Sequence, residues 1–213
     1  MAGEKIIKDN LVTIAEKTQQ VFDAGKKSYY DMFWDDFQQN GNRRNYYYAF
    51  FSRWEQGAWS DVTFRPKYDI ICEGTSPTDI AGMGLFIGCA MTKIEKRIIV
   101  RNSKVEGMFN GCKFLREVEG LIVENVGSFK NTFLQCNELV KLPISGEIEA
   151  DDFNVKDCSR LNNASITSII NALSNTTSGL TVTLSKTAVN NAFTDAEWNT
   201  LIATKPDWNI SLV

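Results

Sequence analysis

Five cysteines and no histidine set the chemical options of this chain. Without an imidazole there is no Ser-His-Asp triad, no Cys-His dyad and no histidine-ligated metal within one chain. There is also no side chain whose ordinary pKa makes it a switch near neutral pH. Thiols and carboxylates remain. Cys72, Cys89, Cys112, Cys136 and Cys158 form no CxxC pair and are odd in number, so neither a zinc site nor a disulfide framework is indicated. Two carboxylates suffice for glycoside hydrolysis, and Asp35, Asp36, Glu147, Glu149, Asp151 and Asp152 are available. Asp35 and Asp36, however, are adjacent on a predicted helix and point apart. Glu147 and Glu149 flank Ile148 on one strand face, as solvated positions do. Asp151, Asp152, Asn154 and Asp157 offer the oxygen ligands that calcium takes, without the EF-hand spacing. No phosphate-cradling glycine motif is present. The expectation is a protein that is not an enzyme, with no catalytic, cofactor-binding or metal-binding residues.

The cysteines are informative for another reason. From Cys89 onward they lie 23, 24 and 22 residues apart, and such regularity calls for a repeat. Phe86 and Cys89, Phe109 and Cys112, and Phe133 and Cys136 keep the same three-residue step, and Val155 stands in the Phe slot before Cys158. Three residues beyond each cysteine come Thr92, Leu115, Leu139 and Leu161. Six beyond come Val118, Leu142 and Ala164, with Ile94 one place early. Short β-favouring stretches separate the copies: Arg97 to Val100, Leu121 to Val123, and Ile144 to Ile148. A unit of this size cannot bury its own apolar face, so successive units must stack. Cysteine suits a tight inward position as a small hydrophobe. The expected repeat core is Phe86, Cys89, Phe109, Cys112, Leu115, Phe133, Cys136, Leu139, Cys158 and Leu161. The thiols should be free, because equivalent side chains in a stack point in parallel.

The run Phe-x-Gly-Cys-x-x-Leu from Phe109 to Leu115, with a glutamine variant from Phe133 to Leu139, resembles BspA-like leucine-rich repeats of bacterial and phage surface proteins. That resemblance implies parallel strands in a curved solenoid used for structure and adhesion, without catalysis. Tyr30 to Ile71 looks like the leader, and Phe193 to Leu212 like the terminus, of a recurrent class of tailed-phage and prophage proteins. These resemblances imply a virion component.

Other elements must position the stack. Residues 4–24 read as a helix with Ile7, Leu11, Ile14, Thr18 and Val21 in a heptad seam. Such a seam serves either self-association, which is favoured, or packing within the chain's own domain. Tyr30, Phe33, Trp34 and Phe37 mark a second amphipathic helix. Residues 29–68 hold 14 of the chain's aromatics. They read chiefly as an N-terminal cap, the alternative being that Tyr47, Trp54 and Trp59 form a ligand-binding platform for a host-surface glycan or protein. At the other end, Ile166, Ile169, Ile170 and Leu173 predict a helix, and Leu180 to Leu184 a strand. Thr194-Asp-Ala-Glu197 predicts a capping box, and Trp208 to Leu212 a last strand after Pro206.

Together these give an α+β chain: an N-terminal helical segment over 1–40, an aromatic-rich cap over 41–82, a short leucine-rich-repeat-like parallel β-solenoid over 83–165, and an α/β C-terminal cap over 166–213. The net charge of −3 provides no basic footprint for nucleic acid. No run of about 20 apolar residues predicts a membrane span, and the N-terminus lacks the pattern of a signal peptide. The expected partners are further copies or other virion proteins, engaged through the N-terminal helix. The expected location is a virion assembled from cytoplasmic chains, with a bacterial cell surface as the alternative.

Overall fold

A computed structural model describes residues 63–64 and 69–213. The heptad positions Ile7, Leu11, Ile14, Thr18 and Val21, the aromatics Tyr47, Trp54 and Trp59, and the acids Asp35 and Asp36 lie outside the described residues. The described chain is mixed α/β, with parallel sheets and few helices. Its elements are β1 (Thr63–Phe64), β2 (Ile70–Glu73), β3 (Lys93–Ser103), β4 (Glu117–Val126), β5 (Ile144–Gly146), β6 (Asn154–Val155), α1 (Asn163–Ala172), β7 (Thr181–Leu184), α2 (Lys186–Ala192), α3 (Asp195–Ile202) and β8 (Asn209–Leu212). One sheet runs β1-β3-β4-β5 with β2 also on β3, and a second runs β6-β7-β8; every pairing is parallel.

The central strands form because β-favouring apolar residues recur inward at every second position, with charged residues, and half-buried Ile99 and Ile122, on the other face. In β3, Ile94, Ile98 and Val100 are buried while Arg97 is exposed. The register sets like on like: Ile98 opposes Leu121, which opposes Ile144, and Val100 opposes Val123. A bulge between Ile94 and Arg97 divides β3, with β1 pairing before it and β2 after it.

The turns stack as the strands do. The N–H groups of Gly84, Phe86 and Gly88 donate to the carbonyls of Glu106, Met108 and Asn110 at 2.7–2.9 Å. One unit further on, Gly107, Phe109 and Gly111 donate to Lys130, Thr132 and Leu134, each at 2.9 Å. Two columns of left-handed residues shape these turns: Gly84, Gly107 and Asn131 (φ 63°, 63° and 57°), and Gly88, Gly111 and Gln135 (φ 69°, 77° and 62°). A glycine adopts that conformation without the Cβ clash that an L residue meets.

Beyond β5 a helix replaces the next strand. Ala164, expected to align with Val118 and Leu142, is exposed on α1. Ser165, one place on, takes its part: the Leu142 N–H donates to Ser165 Oγ at 2.9 Å, and Ser165 Oγ donates to the Val140 carbonyl. Ser168 Oγ likewise accepts from the Ile144 N–H at 3.0 Å. The boundary expected between 165 and 166 therefore falls inside α1, because the helix must begin early enough to present both hydroxyls.

The expected C-terminal elements are present. Asn162 caps α1 by accepting from the Ser165 N–H, and Thr194 and Glu197 close the capping box of α3. α2 is an addition to the expectation, capped by Ser185 and burying only Ala188 and Val189. Among the described residues no helix is long and apolar enough to cross a membrane.

Candidate functional site

The ten residues expected to form the repeat core are all buried. Their rings line up: Phe86 stacks on Phe109 at 5.7 Å with planes 9° apart, and Phe109 on Phe133 at 5.6 Å and 19°. Phe64 meets Phe86 edge-on at 5.6 Å. Val155, placed in the fourth aromatic slot, is buried but is not the next ring. Phe153, two residues earlier, reaches Phe133 at 5.8 Å and Phe129 at 5.0 Å.

The thiols form the adjoining column. Cys112 Sγ donates to the Phe86 carbonyl at 2.9 Å, Cys136 Sγ to that of Phe109 at 3.1 Å, and Cys158 Sγ to that of Phe133 at 3.9 Å. Each thiol thus tethers its turn to the previous one. All five cysteines are buried, and none is in a disulfide. Burial pushes the thiols of Cys112, Cys136 and Cys158 well above their ordinary range, and those of Cys72 and Cys89 upward for the same reason. A thiol held protonated is a poor nucleophile and a poor metal ligand. Thr132 works in the same way: its hydroxyl is within reach of the carbonyls of Val105 (2.8 Å) and Phe129 (2.7 Å).

The carboxylates considered for calcium have other partners. Asp152 accepts from the Phe129 N–H at 2.7 Å and the Ser128 hydroxyl at 2.5 Å. Asp151 accepts from the Thr181 N–H at 2.6 Å, Asp157 from the Gln135 N–H at 2.8 Å, and Asn154 Oδ1 from the Lys156 N–H at 3.0 Å. These side chains supply acceptors where the strand-to-strand ladder gives way to the C-terminal elements. Among the described residues no group of three or more His, Cys, Asp or Glu could hold a metal ion. Glu147 and Glu149 are exposed on either side of buried Ile148.

The outward face of the first sheet carries ion pairs between neighbouring strands. Arg97 meets Asp69 at 2.5 Å, Arg101 meets Glu124 at 2.7 Å, Lys93 meets Glu117 at 3.3 Å and Lys141 meets Glu119 at 3.1 Å. Half-buried Ile71, Ile99 and Ile122 occupy one row between them. Such exposed pairs contribute about 0–1 kcal/mol each. Their effect is register, because shifting a strand by one residue would oppose the wrong partners.

Several of these contributors escaped the sequence reading. The Gly84, Gly107, Asn131 column repeats at 23 and 24 residues, so its signal was present in the spacing. Ser165, Ser168 and Asp152 carry none, since each acts through a backbone group whose need appears only when strands are aligned. None of the family models, curated proteins or solved structures matches this chain.

Proposed function

We propose that this chain is a non-enzymatic structural and adhesion protein, a component of a tailed-phage virion, built on a short leucine-rich-repeat-like β-solenoid. One observation carries the proposal: Phe86, Phe109 and Phe133 stack in order, with Cys112 and Cys136 each bonded to the carbonyl of the preceding ring residue. Equivalent residues contacting equivalent residues one unit away are what stacked repeats require. The BspA-like sequence pattern and the phage-like ends of the chain point the same way. In this reading residues 83–165 project from the particle as a rigid spacer, and the N-terminal helix attaches them to other virion proteins or to further copies.

The chemistry of the thiols and carboxylates favours a scaffold. The thiols are held protonated, and Asp151, Asp152 and Asp157 accept from backbone amides. Mass spectrometry of gradient-purified particles from the producing host tests the assignment, with the chain expected at many copies per particle. Its absence from particles, together with recovery in the cell-envelope fraction, would replace the proposal by a glycan- or protein-binding module of a bacterial surface. Trp54→Ala or Trp59→Ala should then abolish glycan-array binding.

A further inference from the structure

Among the described residues, the second sheet ends on an unpaired edge. In β8 the Asn209 N–H donates to the Leu180 carbonyl and the Val213 N–H to the Leu184 carbonyl, so residues 209, 211 and 213 turn their amides towards β7. By alternation the N–H and C=O groups of Ile210 and Leu212 point away from the sheet. Among the described residues no strand lies beyond β8. Natural edges are usually blunted by charge, proline or a bulge. Asn209-Ile-Ser-Leu-Val213 has none of these.

The surface beside the edge is unfinished too. α3 buries no residue completely, and its Trp198, Leu201 and Ile202 are half-buried, as are Ile210 and Leu212. A hollow of about 420 Å³ opens between Ile202, Pro206, Trp208 and Ile210. The charges at the two ends of β8 are opposite. Exposed Asp207 precedes the strand, and exposed Lys186 sits at its far end, where its N–H donates to the Val213 carbonyl at 2.9 Å.

We propose that β8 pairs with the β8 of a second copy, antiparallel about a two-fold axis at Ser211, joining two three-stranded sheets into one of six strands. Two outward residues flanking Ser211 make the edge self-complementary: Ile210 exchanges both hydrogen bonds with the second copy's Leu212, and Leu212 with its Ile210. The same operation brings Asp207 of each copy towards Lys186 of the other, and a parallel arrangement would not. The half-buried side chains of Ile210 and Leu212 are covered as the edge closes. This contact is independent of the N-terminal helix and of the virion assignment.

Sedimentation equilibrium of the full chain against Ile210→Pro tests the pairing. The proline removes an outward N–H and leaves the β7–β8 bonds in place, so the mass should fall twofold while the melting transition persists. Ser211→Cys should give a covalent dimer on mild oxidation, since opposed residues of a non-hydrogen-bonded antiparallel pair have Cα atoms about 4.5 Å apart, within disulfide reach. Asn209→Cys, displaced from the axis, should give none. Equal masses for wild type and Ile210→Pro, or a monomeric wild type at high protein concentration, overturn the proposal. If Ile210→Pro does not fold, the cysteine pair decides: no cross-link at 211, or equal cross-linking at 209 and 211, overturns it.

Discussion

At position 112 a single thiol proton links two turns, and burial keeps that proton in place. The consequence is a pH dependence with a definite sign. The folded pKa of Cys112 lies above the ordinary value of 9.0, as it does for Cys72, Cys89, Cys136 and Cys158. A group whose folded pKa is raised contributes fully below its unfolded pKa and loses that contribution as pH climbs towards the folded value. Each thiol can therefore remove up to about 1.4 kcal/mol of stability per pH unit above roughly pH 9. The melting temperature should be nearly level from about pH 6 to 8 and fall steeply beyond 9, with a shallower fall in Cys136→Ala. A flat profile to about pH 10.5 would refute this. The left-handed columns supply a second test. Asn131 and Gln135 hold φ values of 57° and 62° where the units before them use glycine. Gln135→Gly should stabilise by about 0.5–1 kcal/mol, the relieved Cβ strain outweighing glycine's extra chain entropy. Gly107→Ala should destabilise by about 1–2 kcal/mol, since its φ is 63° and the new Cβ would lie 3.3 Å from Ile87 Cδ1. Chemical denaturation of the two variants reads both signs.

Among the elements, α1 does the least obvious work, offering hydroxyls where a further strand would offer amides and carbonyls. Ser165→Ala leaves the buried Leu142 N–H without its acceptor, at a cost of about 1–3 kcal/mol. The loss should appear as faster hydrogen exchange at Leu142, and unchanged exchange there would remove the role. This also explains which parts of the fold were legible beforehand. The Phe, Cys and Leu positions were readable because each must present the same small or flat shape to its neighbour, so residue type repeats along with position. The sequence shows Val155 in the fourth Phe slot and no aromatic there; Phe153, two residues upstream and just before the two-residue strand β6, reaches the column instead, at a spacing the repeat does not announce. α2 was missed because a seven-residue helix burying Ala188 and Val189 has no apolar stripe. The capping box of α3 was legible because it is satisfied within four consecutive residues. Local devices can be read from the chain; devices that join distant backbone groups need the register first.

Across the whole molecule, stability should depend on position within the aromatic column. Phe109 stacks on a ring at each side, Phe86 and Phe133, and is fully buried. Phe109→Ala should cost about 3–5 kcal/mol and lower the melting point of the described region as one cooperative unit. Phe193→Ala, at a half-buried ring with Trp198 as its aromatic neighbour, should cost clearly less. Comparable losses at both sites would argue against a shared column. Equivalence between neighbouring turns also bears on how such a chain can change in length. Because the turn at Gly107 receives Gly84 in the same way that it is received by Lys130, a duplicated stretch of one full period would present familiar surfaces above and below. In the proposed solenoid, length would therefore change by whole periods, each added turn meeting the same interior above and below.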